Sequence, residues 1–221
     1  MSKLHLLRVF SAEDGSGGNP LGVFLDGAEV PAERRQPVAT DLGLSETVFV
    51  DDPATGAVRI FTPAEELDFA GHPSVGTAWL LDDIPALRTL AGEVRVRREG
   101  DDVFVTARPE WGPPHELMQV EAPADVDALD GAPAGRDFAA VWAWIDEPAG
   151  TIRARVFPVG IGIAEDEATG SFATKMCAHV RRPIEIRQGR GSRIQARPAD
   201  DGYVEIGGRS VLDEVREYPL S

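Results

Sequence analysis

Apolar positions along the chain gather into short runs that read as strands and into three segments with helical character. In the first half, Leu4 to Phe10, Leu21 to Leu25, Thr47 to Val50 and Ala57 to Thr62 alternate or run apolar as strands do. Leu90 to Arg97 and Asp102 to Ala107 meet at Glu99-Gly100 and read as a hairpin. The second half carries Met118 to Glu121, Phe138 to Trp144 and Ile152 to Phe157. Short strands follow after Pro183, with turns at Asp201-Gly202 and Gly207-Gly208. The first helical segment, Ala32 to Leu42, ends at Gly43, a natural C′ residue, while Pro37 inside it should kink or shorten it. Pro73 to Leu81 contains no charge, and a helix apolar on nearly every side must be buried within a sheet. Ala168 to Val180 sets Phe172, Met176 and Val180 on one face, one helical turn apart.

One word occurs twice. Arg59-Ile-Phe61 and Arg155-Val-Phe157 each end a strand, and each is followed by a loop of small and polar residues that enters a helix. Gly71 lies twelve residues after Arg59, and Asp166 lies eleven after Arg155. This spacing predicts a duplication, with one strand–loop–helix unit per half. Arg108 to Pro114, with three prolines and a glycine, is the expected crossing between residues 1–108 and 109–221. The C-terminal tail is free to pack back on the first unit. Many strands with one buried helix per half give an α+β class, because the regular βα alternation of a doubly wound sheet is absent.

Composition narrows the function. A length of 221 residues suits one large domain or two of roughly 100 residues. The net charge of −15 repels phosphate backbones and argues against a nucleic-acid partner. The longest uncharged apolar run, Phe138 to Ile145, is too short to cross a bilayer, and no basic segment precedes an apolar one at the N-terminus. A cytoplasmic protein with no membrane partner is expected. Cys177 is the single cysteine, which rules out an internal disulfide, a multi-cysteine zinc site and two-thiol chemistry.

Four residues could carry chemistry. Glu46 enters an apolar strand, where it is either an exposed or capping carboxylate or a proton-transfer group with a raised pKa. His72, between Gly71 and Pro73, is either a polar cap or a site ligand. Asp166 and Ser171 near the second helix start could be an ordinary N-cap and a small first-turn residue. Helix N-termini carry free N–H groups and partial positive charge. The backbone from Gly71 to Ser74 and from Thr169 through Gly170 to Ser171 is therefore a candidate cradle for a small carboxylate.

The order of these words resembles the PhzF-like family of phenazine-biosynthesis isomerases, relatives of diaminopimelate epimerase. The matching stretches are Gly18 to Leu25, Leu44-Ser-Glu-Thr-Val-Phe49, Arg59 to Pro63, Leu67-Asp-Phe-Ala-Gly-His-Pro73 and Glu165-Asp-Glu-Ala-Thr-Gly-Ser171, with fainter echoes at Gln188-Gly189 and Gly202 to Gly208. The resemblance implies a diaminopimelate epimerase-like fold of two similar domains, each a curled, mostly antiparallel sheet around a central helix, with the active site between them. It implies a homodimer that uses no metal, flavin or pyridoxal phosphate. Glu46 matches the general acid/base, His72 and Asp166 match groups that hold substrate and assist proton transfer, and Gly71 and Ser171 match substrate contacts. Position 167 departs from the pattern, with Glu where the family usually has Pro, which should loosen the loop and add charge near Asp166. The chain is also shorter than typical members, mostly after residue 108.

The expected function is a cofactor-independent isomerase that moves a proton between carbons of a small carboxylated cyclic or unsaturated metabolite. One alternative is a catalytically degenerate protein that binds such a carboxylate without turnover. The other is a metal-dependent hydrolase built on His72 with Glu65, Glu66 and Asp68, although no second histidine lies at ligand spacing.

Overall fold

A computed structural model describes residues 1–220. Its strands are β1 (Ser2–Ser11), β2 (Asn19–Phe24), β3 (Glu46–Asp52), β4 (Ala57–Phe61), β5 (Glu66–Leu67), β6 (Ala86–Thr89), β7 (Gly92–Glu99), β8 (Asp102–Ala107), β9 (Glu116–Gln119), β10 (Ala139–Asp146), β11 (Thr151–Phe157), β12 (Ile184–Gln188), β13 (Ser192–Pro198) and β14 (Val204–Tyr218). The α-helices are α1 (Ala32–Leu42), α2 (Gly71–Leu80), α3 (Pro123–Asp127) and α4 (Gly170–Val180). The result is a sheet-rich α+β fold.

All strands join one sheet, in the order β1-β2-β3-β4-β6-β7-β8-β14-β13-β12-β11-β10-β9, with β5 beside β4. The long β14 pairs with β8 and β13 through its first half and with β1 through its second. Its return to β1 closes the strands of the N-terminal half into a ring. Most pairs are antiparallel, but β2 and β3 run parallel, as do β4 and β6, β9 and β10, and β11 and β12. The first of these parallel pairs sets Leu21 opposite Glu46, so Asn19 at the start of β2 lies close to Glu46 at the start of β3.

Helix α2 threads this ring and touches β1, β2, β3, β6, β8 and β14. Residues Gly71 to Ala78 are all buried, which is why the segment tolerates no charge. Helix α4 packs on β13 and β14, with Phe172, Met176 and Cys177 fully buried. The apolar residues around α2 and α4 form one contiguous core. Outside the ring, α1 covers Phe24, Phe49 and Phe61 with Val38 and Ala39, and α3 covers Val141 and Phe157.

Several sequence expectations shift. Helix α1 runs unbroken through Pro37, since a proline in its second turn removes only one early hydrogen bond, and Gln36 and Thr40 tie the helix to the Thr62 and Pro63 carbonyls at 2.9 and 2.7 Å. Helix α2 starts at Gly71, two residues before Pro73. Helix α4 starts at Gly170 rather than Ala168, because Asp166 is held extended by a bridge to Val156 and Thr169 is extended at the N-cap. Gly92 opens β7, with Leu90 and Ala91 forming the turn from β6 rather than the start of the strand. Gly207-Gly208 is no turn, for both lie inside β14.

Gly207 is bare because the Phe104 ring and the Val103 carbonyl of β8 occupy the space a Cβ would need. Gly207→Val should therefore force β8 away from β14 and destabilise the protein by about 1–3 kcal/mol, the usual cost of overpacking. Urea denaturation against the unaltered protein measures the difference.

Candidate active site

The N-termini of α2 and α4 abut. A Cβ at Gly71 would lie 2.9 Å from the Gly170 Cα, and one at Gly170 would lie 2.8 Å from the Gly71 Cα. Only glycines allow this approach. The N–H groups of Gly71, His72, Gly170 and Ser171 have no intrahelical acceptor, and two positive helix ends thus converge on one point.

Glu46 and His72 meet beside this point. His72 Nε2 lies 3.3 Å from Glu46 Oε2, with side chains 5% and 15% exposed respectively. Neither atom has a hydrogen bond of good geometry among the described residues. Burial pushes the Glu46 carboxyl up to about 8, and the charge of Asp166 adds to the effect. Burial also pulls the His72 imidazole down to about 3, against a hydrogen bond to the Pro20 backbone that favours its charged form. The proton therefore rests on Glu46, and the contact is a neutral acid facing a neutral imidazole.

Asp166 is half-buried and held from both halves of the chain. Asn19 Nδ2 donates to its Oδ1 at 2.7 Å and to the Ala168 carbonyl at 2.9 Å. The Thr169 hydroxyl donates to Asp166 Oδ2 at 2.6 Å. Burial nevertheless dominates, lifting its pKa to about 6, while these two bonds pull the other way. Gln188, fully buried, accepts the Thr169 N–H at 3.1 Å and donates to the Asp166 carbonyl and the Thr169 hydroxyl, each at 2.8 Å. The Ser45 hydroxyl, next to Glu46, donates to Asn19 Oδ1 at 3.4 Å. Asn19 thus links Asp166 to the residue that precedes Glu46.

The structure brings Glu46, His72, Gly71, Asp166, Thr169 and Gly170 to one place, with Ser171 half-buried in the first turn of α4. Ser74 is buried, and its hydroxyl and N–H both donate to the Ala70 carbonyl. Glu66 is bound to Arg59, and among the described residues no three His, Cys, Asp or Glu side chains gather as a metal-binding set. The metal-hydrolase alternative thus loses its ligands.

The doubled word has a shared structural use. Arg59 on β4 grips Glu66, five residues before α2, and Arg155 on β11 grips Glu165, five residues before α4, at 2.8 and 2.7 Å. Measured this way Gly71 corresponds to Gly170, and the loop carrying Asp166 is three residues longer than its counterpart.

Glu167 does not loosen its loop. Its Oε1 accepts the Arg190 N–H at 2.7 Å and the Ser192 hydroxyl at 3.0 Å, and Ser192 Oγ accepts the Gly18 N–H at 2.9 Å. The carboxylate occupies the space that a side chain at Gly189 would fill. Sequence reasoning gave no part to Asn19 or Gln188, although both lie in recognised words, and it passed over His115. Buried amides at strand ends offered the only signal for the first two. The His115 Nε2 stands 2.8 Å from the Ser171 hydroxyl.

Comparison with known proteins identifies the family. The family model described as phenazine biosynthesis-like protein matches residues 7–116. A curated relative, trans-2,3-dihydro-3-hydroxyanthranilate isomerase of Pseudomonas aeruginosa, is 33% identical over 280 residues, covering 99% of this chain and all of the relative. A crystal structure of a putative phenazine biosynthesis PhzC/PhzF protein from Clostridium difficile superposes with a TM-score of 0.79 at 20% identity, covering 99% of this chain and 100% of the other. A probable proline racemase from Agrobacterium radiobacter shares the fold at a TM-score of 0.61 and 15% identity, with 100% and 94% coverage. The fold is thus one used by isomerases and racemases of small metabolites, and the protein is an isomerase. The chain belongs to the phenazine biosynthesis-like (PhzC-PhzF) family. No helix among the described residues is long and apolar enough to cross a membrane.

The raised Glu46 pKa has a cost in stability. In the unfolded chain Glu46 ionises near its ordinary value of 4.5, whereas in the fold it holds its proton up to about 8. Between these values the folded state binds more protons, so this contribution to stability falls as pH rises and levels off above about 8. Glu46→Gln removes the titration. The variant should match the unaltered protein near pH 4.5 and exceed it increasingly toward pH 8, by on the order of a few kcal/mol, since one pKa unit is about 1.4 kcal/mol. Thermal melts across this range provide the check.

Proposed function

We propose that Glu46 is the general acid/base of an isomerase that moves a proton between carbons of a small cyclic carboxylate. The observation that carries this reading is the buried Glu46 carboxyl, 3.3 Å from His72 and beside two converging helix N-termini, where burial pushes its pKa up to about 8. Such a group exists in both protonation states near neutral pH, as proton transfer in both directions requires. The N–H groups of Gly71, His72, Gly170 and Ser171, with the Ser171 hydroxyl, hold the substrate carboxylate. Ser74 and Thr169 line the cradle with hydroxyls engaged inside the protein, and His72 and Asp166 orient the ring.

In the forward step the Glu46 carboxylate takes a proton from a ring carbon. The electron pair released moves through the adjacent double bond, and a second ring carbon accepts the proton back from Glu46. His72, neutral and with a bare Nε2 facing Glu46, can steady the acid form without competing for its charge. Every step uses the chain's own side chains, and no cofactor enters. The relative's substrate, trans-2,3-dihydro-3-hydroxyanthranilate, is the compound to test first.

Two further expectations follow family precedent. Residues 1–108, with the C-terminal tail packed back on them, and residues 109–221 act as two similar sheet-around-helix units with the site between them, and the protein is a cytoplasmic homodimer. Light scattering over a concentration series tests the dimer.

Incubation with trans-2,3-dihydro-3-hydroxyanthranilate in deuterated water should give turnover, with deuterium entering a C–H position seen by NMR. Glu46→Gln should fold and bind but lower turnover and wash-in by roughly 10²–10⁴-fold, the usual worth of one acid/base group. Binding without exchange in the unaltered protein would favour the degenerate, binding-only alternative. Unchanged exchange in Glu46→Gln would assign the base elsewhere.

A further inference from the structure

His115 is 3% exposed, and its Nε2 lies 2.8 Å from Ser171 Oγ. Its ring is fixed edge-on between Phe138 and Phe172, with centroids 6.3 and 6.2 Å away. The segment that carries it is pressed against α4, for a Cβ at Gly112 would lie 2.6 Å from the Ser171 Cβ. Trp111 in the same segment packs on Phe69 at 5.2 Å and on Tyr203 at 5.9 Å. The imidazole thus has little freedom except to face Ser171. Its other nitrogen, Nδ1, is buried with no hydrogen-bond partner among the described residues.

Two tautomers are open to a neutral imidazole. With the proton on Nδ1, a buried N–H is orphaned and Nε2 must accept the Ser171 hydroxyl hydrogen. With the proton on Nε2, the ring donates to Ser171 Oγ and leaves only an unused acceptor at Nδ1. Orphaned buried N–H groups are the rarer of the two in folded proteins. Burial, with the charge of Lys175 one turn along α4, keeps the ring neutral by pulling its pKa down to about 4.

We propose that His115 is a positioning residue whose Nε2–H donates to Ser171 Oγ, turning the serine hydroxyl outward as a donor to the substrate carboxylate. The inference rests on the carboxylate cradle proposed above and adds what makes that cradle selective for an anion. With Nε2 donating, the Ser171 hydrogen is not spent on the imidazole and is free to be donated to the ligand. A carboxylate offers that donor two anionic oxygens, whereas a carboxamide offers one neutral oxygen and an NH2 that cannot accept.

Two measurements test this. Selective 15N labelling of histidine, read by long-range 1H–15N correlation, should give the Nε2–H tautomer for His115, and an Nδ1–H tautomer would overturn the proposal. Anthranilate serves as an inert carboxylate probe and anthranilamide as its neutral counterpart, with binding followed by titration calorimetry. The unaltered protein should prefer anthranilate. His115→Phe keeps a ring between Phe138 and Phe172 but no donor, and should weaken anthranilate about tenfold and anthranilamide much less. His115→Gln, which offers an N–H near the position of Nε2, should recover most of the loss. A merely structural histidine would weaken both probes together, and that result overturns the proposal. So does wild-type anthranilate binding in His115→Phe when Ser171→Ala is impaired, an outcome that leaves the cradle standing. Anthranilate binding unaffected by Ser171→Ala and by His115→Phe alike overturns the cradle and this inference together, as does failure of the unaltered protein to bind anthranilate.

Discussion

No side chain fits between Gly71 and Gly170, and this close contact sets the geometry of the rest. Two helices that meet end to end must each be carried by its surroundings to the same point. For α2 the carrier is the strand ring closed by β14, and for α4 it is the sheet of the second half that β14 also joins. The arginines of β4 and β11 fix the loops entering the helices by gripping Glu66 and Glu165. The contact also concentrates two helix dipoles on a region that water scarcely reaches, where electrostatic effects are largest.

That concentration explains an arrangement that would be costly elsewhere. Three titratable groups, Glu46, His72 and Asp166, are withdrawn from solvent within one small volume. Charging all of them would demand several unfavourable desolvations, and the protein resolves this by leaving Glu46 protonated and His72 neutral. Asp166 is the member provided with donors, from Asn19 and Thr169, and it ionises first. Its charge in turn helps hold the proton on Glu46. The two carboxyl groups are separated in role by what touches them, because the helix ends serve both.

Periodicity and charge-free runs showed the class of fold and the two buried helices, because they report burial directly, whereas the residues now gathered at Glu46 were singled out by the family resemblance, spacing alone leaving each of them an ordinary structural reading. The sequence misplaced what depends on long-range packing. Gly207-Gly208 carries the composition of a turn, yet the pair is zipped to β8 inside β14, and position 207 is glycine because Phe104 fills the space above it. Counting from the repeated arginine matched Gly71 to Asp166, whereas the structural counterpart is Gly170. The extra loop length that carries Asp166 into the site cannot be seen without the Arg155–Glu165 grip. His115 was illegible because a histidine after two prolines has no periodic signature, and its meaning comes from Ser171, fifty-six residues away.

Glu167 shows how a departure from a family pattern can preserve a constraint by other means. Proline at this position would stiffen the Asp166 loop through its own ring, by fixing φ. Glutamate brings no such stiffness to the backbone, but its carboxylate reaches the tight turn at Gly189 and is held by the Arg190 N–H and the Ser192 hydroxyl. Ser192 then holds the Gly18 N–H, next to the Asn19 that donates to Asp166. The loop is thereby tied at both ends of one hydrogen-bonded circuit, from Glu167 through Ser192 and Gly18 to Asn19 and back to Asp166. A local covalent restraint is replaced by a distributed one, which joins the two halves of the chain at the residue whose position the site depends on. Such a circuit needs its glycines as much as the glutamate, since a side chain at Gly189 would displace the Glu167 carboxylate and one at Gly18 would strike Ser11 and Arg8 beside the circuit. Position 167 is therefore intelligible only together with residues on two other loops, and read alone it looked like a loss.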